Sequence, residues 1–268
     1  MTKYTFSLLP KGLLIGALML AGCCCHDDDN DTDPVPVDPY NGHEYVDLGL
    51  PSGLKWATCN VGASKPEEYG DYFAWGDTVP YYSSQDPLTW KEGKSAGYDW
   101  STYKWCKGSY KTLTKYCCES NFDTYGYNGY TDSDTTLVAE DDAASYQWGG
   151  SWRMPTKDDI EELLATKEKT DDYIWTWCDG NNTKYAGTDV KGWQIVRIST
   201  GATLFLPAAG FRNDTNFFYV GAEGYYWSSS LYTDYPYCAW YIYFNPVNRI
   251  KICGGSRYYG QSVRPVCP

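Results

Sequence analysis

Side chains alternate with period two from Tyr237 to Phe244. Trp240, Ile242 and Phe244 fall on one side, and Tyr237, Ala239, Tyr241 and Tyr243 on the other. That period predicts a strand with Trp240, Ile242 and Phe244 facing inward and the other four facing out. Further short apolar runs predict strands at Glu44–Leu48, Leu54–Thr58, Ile174–Trp177, Trp193–Ser199, Thr203–Pro207, Tyr225–Ser229, Arg249–Ile252 and Ser262–Val266, with a turn at Pro51-Ser52-Gly53 between the first two. Two stretches read as helices. Glu140 to Trp148 is stopped by Gly149-Gly150. A second helix follows Thr156, whose hydroxyl caps it, with Asp159 at the third position completing a capping-box arrangement. Ile160, Leu163 and Leu164 give this helix one apolar face. Its acidic residues, Asp158, Asp159, Glu161 and Glu162, complement the helix dipole and are not read as an acid/base pair. Between Pro80 and Thr136 the chain is polar, aromatic and rich in Gly, Ser and Asp, which predicts a long insertion with little regular structure. Two helices with many antiparallel strands make an α+β domain.

The first 40 residues do not fit this scheme. Lys3 and Lys11 precede a short apolar run, Gly12 to Ala21, too short for a permanent membrane span. It ends in Leu20-Ala21-Gly22-Cys23, which resembles the bacterial lipoprotein box. The resemblance implies that residues 1–22 are a signal peptide and that Cys23 is lipidated and anchors the chain. His26 to Asp33 is an acidic run, followed by Pro34, Pro36 and Pro39, so residues 23–40 read as a solvated tether. The tether resembles the acidic tag that sends lipoproteins of the Bacteroidota type to the cell surface, which places the protein on the outer membrane facing the exterior. The alternating Asp residues lack the Gly and the closing Glu of a calcium loop. The remaining 41–268 are long enough for one well-buried domain.

A net charge of -12 argues against nucleic acid, whose phosphates need a basic face. Of 11 Cys, three adjoin the anchor. The other eight have no Cys-x-x-Cys pair, and only His26 and His43 are available, so no zinc site and no cofactor is expected. The same two His leave a Ser-His-Asp arrangement without its base, and no Gly-x-Ser-x-Gly elbow occurs. The composition points instead to binding. Aromatics make up 18% of residues, with 12 Trp and 27 Tyr, and many cluster in the tract 231–259. Tyr presents a large amphipathic face with few rotatable bonds, and Ser adapts its hydrogen bonds, so evolved binding surfaces favour both. The candidate ligand-binding residues are Tyr232, Tyr235, Tyr237, Tyr241, Tyr243, Ile250, Ile252, Ser256, Tyr258 and Tyr259. The expected partner is a surface protein or glycan.

Two resemblances refine the reading. Asn encoded as AAC reaches Tyr, Ser, Cys, Ile, Asp, Gly, Val or Phe through its adenines alone, but not Trp, Met, Gln, Glu or Lys. From Leu231 to Tyr259 only Trp240 and Lys251 belong to the second set. The tract thus resembles the variable proteins of diversity-generating retroelements, which mutate adenine positions over a C-type-lectin-like scaffold; an ordinary Tyr-rich strand pair is the alternative. Secondly, Val46–Gly53, Trp56–Ala63, Glu68–Gly76, Asp141–Ala144, Trp152–Thr156, Leu206–Gly210, Tyr226–Ser230 and Val263–Val266 resemble, in order, the major paralogous domain (FISUMP) family of lipoproteins. That resemblance implies a C-type-lectin-like fold: two helices beside a small twisted antiparallel sheet, termini close together, and Ile174-Trp175 as a core strand. It also implies core roles for Trp152 and Trp227, and buried-pair or backbone-capping roles for Arg153 and Arg264. The lectin calcium signatures Glu-Pro-Asn and Trp-Asn-Asp are absent from the sequence. The main alternative is an oxidoreductase similar to formylglycine-generating enzymes, with Cys238 and Cys253 as its cysteine pair and copper; a structural or fimbrial component is a third reading.

Overall fold

The computed structural model describes residues 38–80, 97–117, 132–247 and 249–268. The leader, Cys23 and most of the tether lie outside the described residues, as does part of the long insertion. Asp38–Pro268 forms one compact unit. Its regular elements are β1 (Tyr45–Val46), β2 (Lys55–Ala57), α1 (Ala143–Trp148), α2 (Lys157–Ala165), β3 (Tyr173–Cys178), β4 (Gly192–Arg197), β5 (Thr203–Pro207), β6 (Phe211–Asn213), β7 (Asn216–Phe218), β8 (Gly224–Leu231), β9 (Cys238–Phe244), β10 (Ile250–Ser256) and β11 (Val266–Cys267). The strands form small antiparallel sheets ordered β1-β2-β11, β3-β4-β5, β6-β7 and β10-β9-β8. With two short helices, this is an α+β arrangement.

The helix boundaries follow local hydrogen bonding. Thr156 caps α2 by accepting from the Asp159 backbone N–H, and Asp159 returns the bond to Thr156 N at 2.7 Å. Two of the donors at the helix start are thereby satisfied, and Ser230 Oγ accepts from Lys157 N at 3.0 Å. In α1 the predicted start was early. Asp142 is the N-cap, accepting from Ser145 N at 2.9 Å, while its second oxygen accepts from Met154 N at 2.8 Å. Gly149, at φ 65°, ends the helix in the left-handed region that a glycine adopts without strain.

Three apolar clusters hold the unit. The first joins Ile160 and Leu163 of α2 to Trp193, Ile195, Leu204 and Leu206 of the β3-β4-β5 sheet and to Tyr226, Ile242 and Phe244. The second gathers Phe73, Trp75, Trp148, Trp152, Trp227 and Ala239. The third lies beneath the insertion: Tyr72, Tyr98, Tyr103, Leu113 and Cys117. Strand β8 runs between the first two, which is why nearly all of it is buried. The buried indoles of Trp75, Trp152 and Trp227 donate to the carbonyls of Ser228, Tyr40 and Phe73. A buried N–H needs such a partner, and the carbonyls supply it.

Several expectations require correction. Ser262–Val266 is not a continuous strand: Gln261 and Ser262 bridge Phe73 and Tyr226 singly, and only Val266–Cys267 pairs with β2. Pro265 has no N–H to contribute to a ladder. Ile174 is half exposed rather than core. The β6-β7 hairpin was not anticipated; Asp214, at φ 52°, turns it. Arg264 does cap backbone, donating to the carbonyls of Ala57 and Thr58 and to Asn60 Oδ1, and Arg153 donates to the Met154 carbonyl at 3.0 Å while pairing with Asp159 at 2.6 Å near the surface.

Candidate ligand-binding face

The β10-β9-β8 ladder fixes where the tract's side chains point. Phe244 pairs with Ile250, Ile242 with Ile252, Trp240 with Gly254 and Cys238 with Ser256. Residues paired this way share a face. Ile250 and Ile252 pack on the first cluster beside Ile242 and Phe244, so that face is the one α2 covers. The opposite face carries Tyr225, Trp227, Ala239, Tyr241, Tyr243, Lys251 and Cys253. Two glycines confirm the assignment. A Cβ at Gly254 would lie 2.1 Å from the Tyr232 ring, and one at Gly255 would lie 2.8 Å from the Tyr241 ring.

The inward set was therefore only partly right. Ile242 and Phe244 are buried, but Trp240 is half-buried at the sheet's margin, stacked on Tyr232 at 4.1 Å with the Lys157 ammonium 5.6 Å over its ring. Ala239, expected outside, is fully buried against the second cluster. The reason is that both faces of this sheet are covered near Ala239, whereas simple alternation assumes one wet face. Tyr241 and Tyr243 are half-buried rather than open. Ile250, Ile252 and Tyr232 lie on the helix-covered side, away from Tyr241 and Tyr243. Ser256 is half-buried with the same strand parity as Ile250.

The tyrosines nevertheless form one connected series. Ring centroids lie 5.3 Å apart for Tyr232–Tyr235, 5.9 Å for Tyr235–Tyr237 and 4.6 Å for Tyr258–Tyr259. The gap between Tyr237 and Tyr258 is closed by residues outside the tract: Tyr110 lies 5.5 Å from Tyr237, Trp100 6.3 Å from Tyr110, and Trp100 5.0 Å from Tyr258. Beyond Tyr259, Phe211 at 5.2 Å and Tyr225 at 4.8 Å from Phe211 continue the series to Tyr241 and Tyr243. Tyr219 and Val220 stand exposed at its margin, Tyr219 6.2 Å from Phe211. Sequence reading missed Trp100, Tyr110, Phe211 and Tyr225, although the aromatic density around Tyr98–Tyr110 was a visible signal.

Arg257 holds the insertion to the tract. Its side chain is fully buried, donating from Nε to Tyr103 Oη and from its two Nη atoms to the carbonyls of Tyr116, Pro236 and Lys115, all between 2.8 and 3.0 Å. Its guanidinium also lies 4.8 Å from the Trp75 ring centre. Among the described residues no carboxylate pairs with it; four oxygens and aromatic faces replace its water. At the other end, Glu223 accepts from the Tyr225 hydroxyl and, at 3.0 Å, from Tyr243, whose own oxygen accepts from Asn245 Nδ2. Burial, and then the bond to Glu223, push the Tyr225 hydroxyl far up. Burial also raises Tyr241 and Tyr258. These tyrosines remain neutral hydrogen-bonding groups in the physiological range.

Cys238 and Cys253 do not come together. Cys238 sits opposite Ser256 and Cys253 opposite Tyr241, three positions apart on the ladder and on opposite faces. Three positions are roughly 10 Å, beyond the ~7 Å that a disulfide spans. Burial raises both thiols, Cys238 to about 12, so neither is a ready thiolate. Among the described residues no group of three or more His, Cys, Asp or Glu is placed to hold a metal ion, and no helix is long and apolar enough to cross a membrane. No family model matches the chain, and the comparisons with curated proteins and solved structures found no match.

Proposed function

We propose that this chain is a surface-anchored lipoprotein that binds a macromolecular ligand, protein or glycan, through the aromatic series running from Tyr232 to Tyr243. The observation that carries the reading is the continuity of that series from the β8-β9 connection through the insertion and the segment after β10 to Phe211 of β6, Tyr225 of β8 and Tyr241 and Tyr243 of β9. Its more open part, Tyr110, Tyr235, Tyr237 and Tyr258, offers one partner several rings together, and aromatic residues dominate binding hot spots. The framework is read as a FISUMP-type, C-type-lectin-like domain. Two short helices beside small antiparallel sheets, with β1 and β11 both flanking β2, support that assignment. The tract is read as retroelement-diversified, with lipidation at Cys23 and exposure on the cell exterior. The oxidoreductase alternative draws no support from the separated Cys238 and Cys253.

The direct test probes the full chain against arrays of purified surface proteins and glycans. The Tyr235→Ser/Tyr237→Ser/Tyr258→Ser variant is expected to lose binding while still unfolding cooperatively, at a lower melting temperature because Tyr237 and Tyr258 pack on the third cluster. Hits that survive in the variant refute the face. Codons of residues 231–259 drawn from an adenine-rich neighbouring copy beside a reverse transcriptase gene are expected if the tract is diversified, and their absence refutes that part alone.

A further inference from the structure

A cleft of about 540 Å³ opens where the end of β1 meets the β4-β5 turn, on elements outside the aromatic series. Tyr45, Val46 and Ala202 supply apolar walls, and Asp47, Arg197, Ser199, Thr200 and Thr203 supply polar ones. Its opposite charges are held without pairing. Asp47 Oδ1 accepts from Gly49 N at 2.8 Å. Arg197 donates from Nε to Ser199 Oγ at 3.1 Å and from Nη1 to Tyr173 Oη, with the Leu48 and Gly49 carbonyls at 3.5 and 3.4 Å. The guanidinium also lies over the Tyr173 ring at 4.8 Å. A Cβ built on Gly49 would be 3.6 Å from the guanidinium carbon, so Asp47 and Arg197 flank the same glycine. Yet their bonds among the described residues run elsewhere than to each other, engaging Asp47 Oδ1 and Arg197 Nε and Nη1.

Two neighbouring opposite charges normally relax into a pair. Here each is tied back by its own local bonds, and both side chains line one cleft with apolar walls. Groups fixed in place before binding save the ligand the cost of ordering them, and a few convergent polar groups on an apolar lining are the usual form of a small-molecule site. We propose that this cleft binds a small zwitterion, a free α-amino acid with an apolar side chain. Its carboxylate lies on Arg197 Nη2 and the Ser199 and Thr200 hydroxyls, its ammonium on Asp47 Oδ2, and its side chain against Tyr45, Val46 and Ala202. A singly charged anion meets repulsion from Asp47, and a cation from Arg197, so the pair selects for both charges on one molecule.

The experiment titrates the full chain with L-leucine, followed by NMR and calorimetry. L-leucinamide, N-acetyl-L-leucine and methyl α-D-glucopyranoside serve as probes lacking the carboxylate, the ammonium and both charges. Saturable binding of leucine is expected, weakened about tenfold or more in leucinamide, in N-acetyl-leucine and in the Asp47→Asn and Arg197→Lys variants, the usual effect of losing a charged hydrogen bond. Asp47 is exposed, so its variant tests the site without a folding penalty. No saturable shift with leucine, equal binding of the blocked analogues, or displacement by the glucoside overturns the proposal. The Tyr235→Ser/Tyr237→Ser/Tyr258→Ser variant is expected to bind leucine normally, so failure of the aromatic face and failure of this cleft are separately visible.

Discussion

Replacing Asp77 with Asn isolates one buried carboxyl at the root of the insertion. Asp77 is 4% exposed; Oδ1 accepts from Val79 N at 3.3 Å, and Oδ2 has no partner. Burial is the main cause that lifts its pKa from 3.8 to about 6; nearby Asp141 adds to the rise, while Val79 N–H and Lys104 oppose it. Because the folded state holds this proton more tightly than the unfolded chain, stability is lost as pH rises from about 4 through 6. A gap of roughly two units corresponds to about 3 kcal/mol at ~1.4 kcal/mol per unit. Asn keeps the shape and the acceptor for Val79 but cannot ionise. Urea unfolding of both proteins from pH 4 to 7.5 is therefore expected to show the variant gaining on wild type by about 3 kcal/mol across that window. Other carboxyls titrate in both proteins, so their contributions cancel in the difference. Parallel stability profiles would mean that Asp77 is ionised at no cost and would refute the argument.

Trp227→Ala, removing a fully buried indole bonded to Phe73 O, is expected to cost about 3–5 kcal/mol in denaturant unfolding, and Trp152→Ala a similar amount. Tyr235→Ser, at an exposed position, is expected to stay within about 0.5 kcal/mol of wild type, whereas Tyr241→Ser is expected to cost more, because that ring packs edge-on to Trp227 at 5.7 Å and over Gly255. Equal melting of the two variants would contradict the covered face. Cys23→Ala is expected to release the protein from membranes or leave its precursor uncleaved, read by fractionation and mass spectrometry.

Local chemistry was legible in the sequence. Thr156 and Asp159 build the capping box they spell, and Gly149 ends α1, because caps depend on neighbours a few residues away. Ile242 and Phe244 were placed correctly for the same reason: a strand's period names which residues travel together. What the period leaves open is how much each side is covered. Ala239 went inside and Trp240 to the margin because a second aromatic cluster, from residues as distant as Phe73 and Trp152, covers the face that alternation had left to solvent. The site was legible as composition and not as extent. Tyr237 and Tyr258 connect through Trp100 and Tyr110, which reach them across more than a hundred residues of chain. Arg257 looked like one more residue of the tract, since a buried guanidinium satisfied by carbonyls leaves no partner motif in the sequence.

The narrow β1-β2-β11 sheet has a mechanical consequence. Tension entering from residue 38 first meets the bonds of Pro39 O to Ser151 N, Tyr40 O to Trp152 Nε1 and Asn41 Nδ2 to Trp148 O, and then β1, which is held to β2 by two residue pairs, Tyr45 with Ala57 and Val46 with Trp56. In an antiparallel pair loaded from one end such contacts unzip singly, so this joint yields at low force. Strand β11 grips the other edge of β2 independently, through Val266 with Trp56 and Cys267 with Lys55. Behind β1, Leu48 and Leu50 are buried in the first cluster and stop the peeling there. A pull from residue 38 therefore has to break a series of short, separate contacts before it reaches the longer β8-β9-β10 ladder that carries Tyr241 and Tyr243.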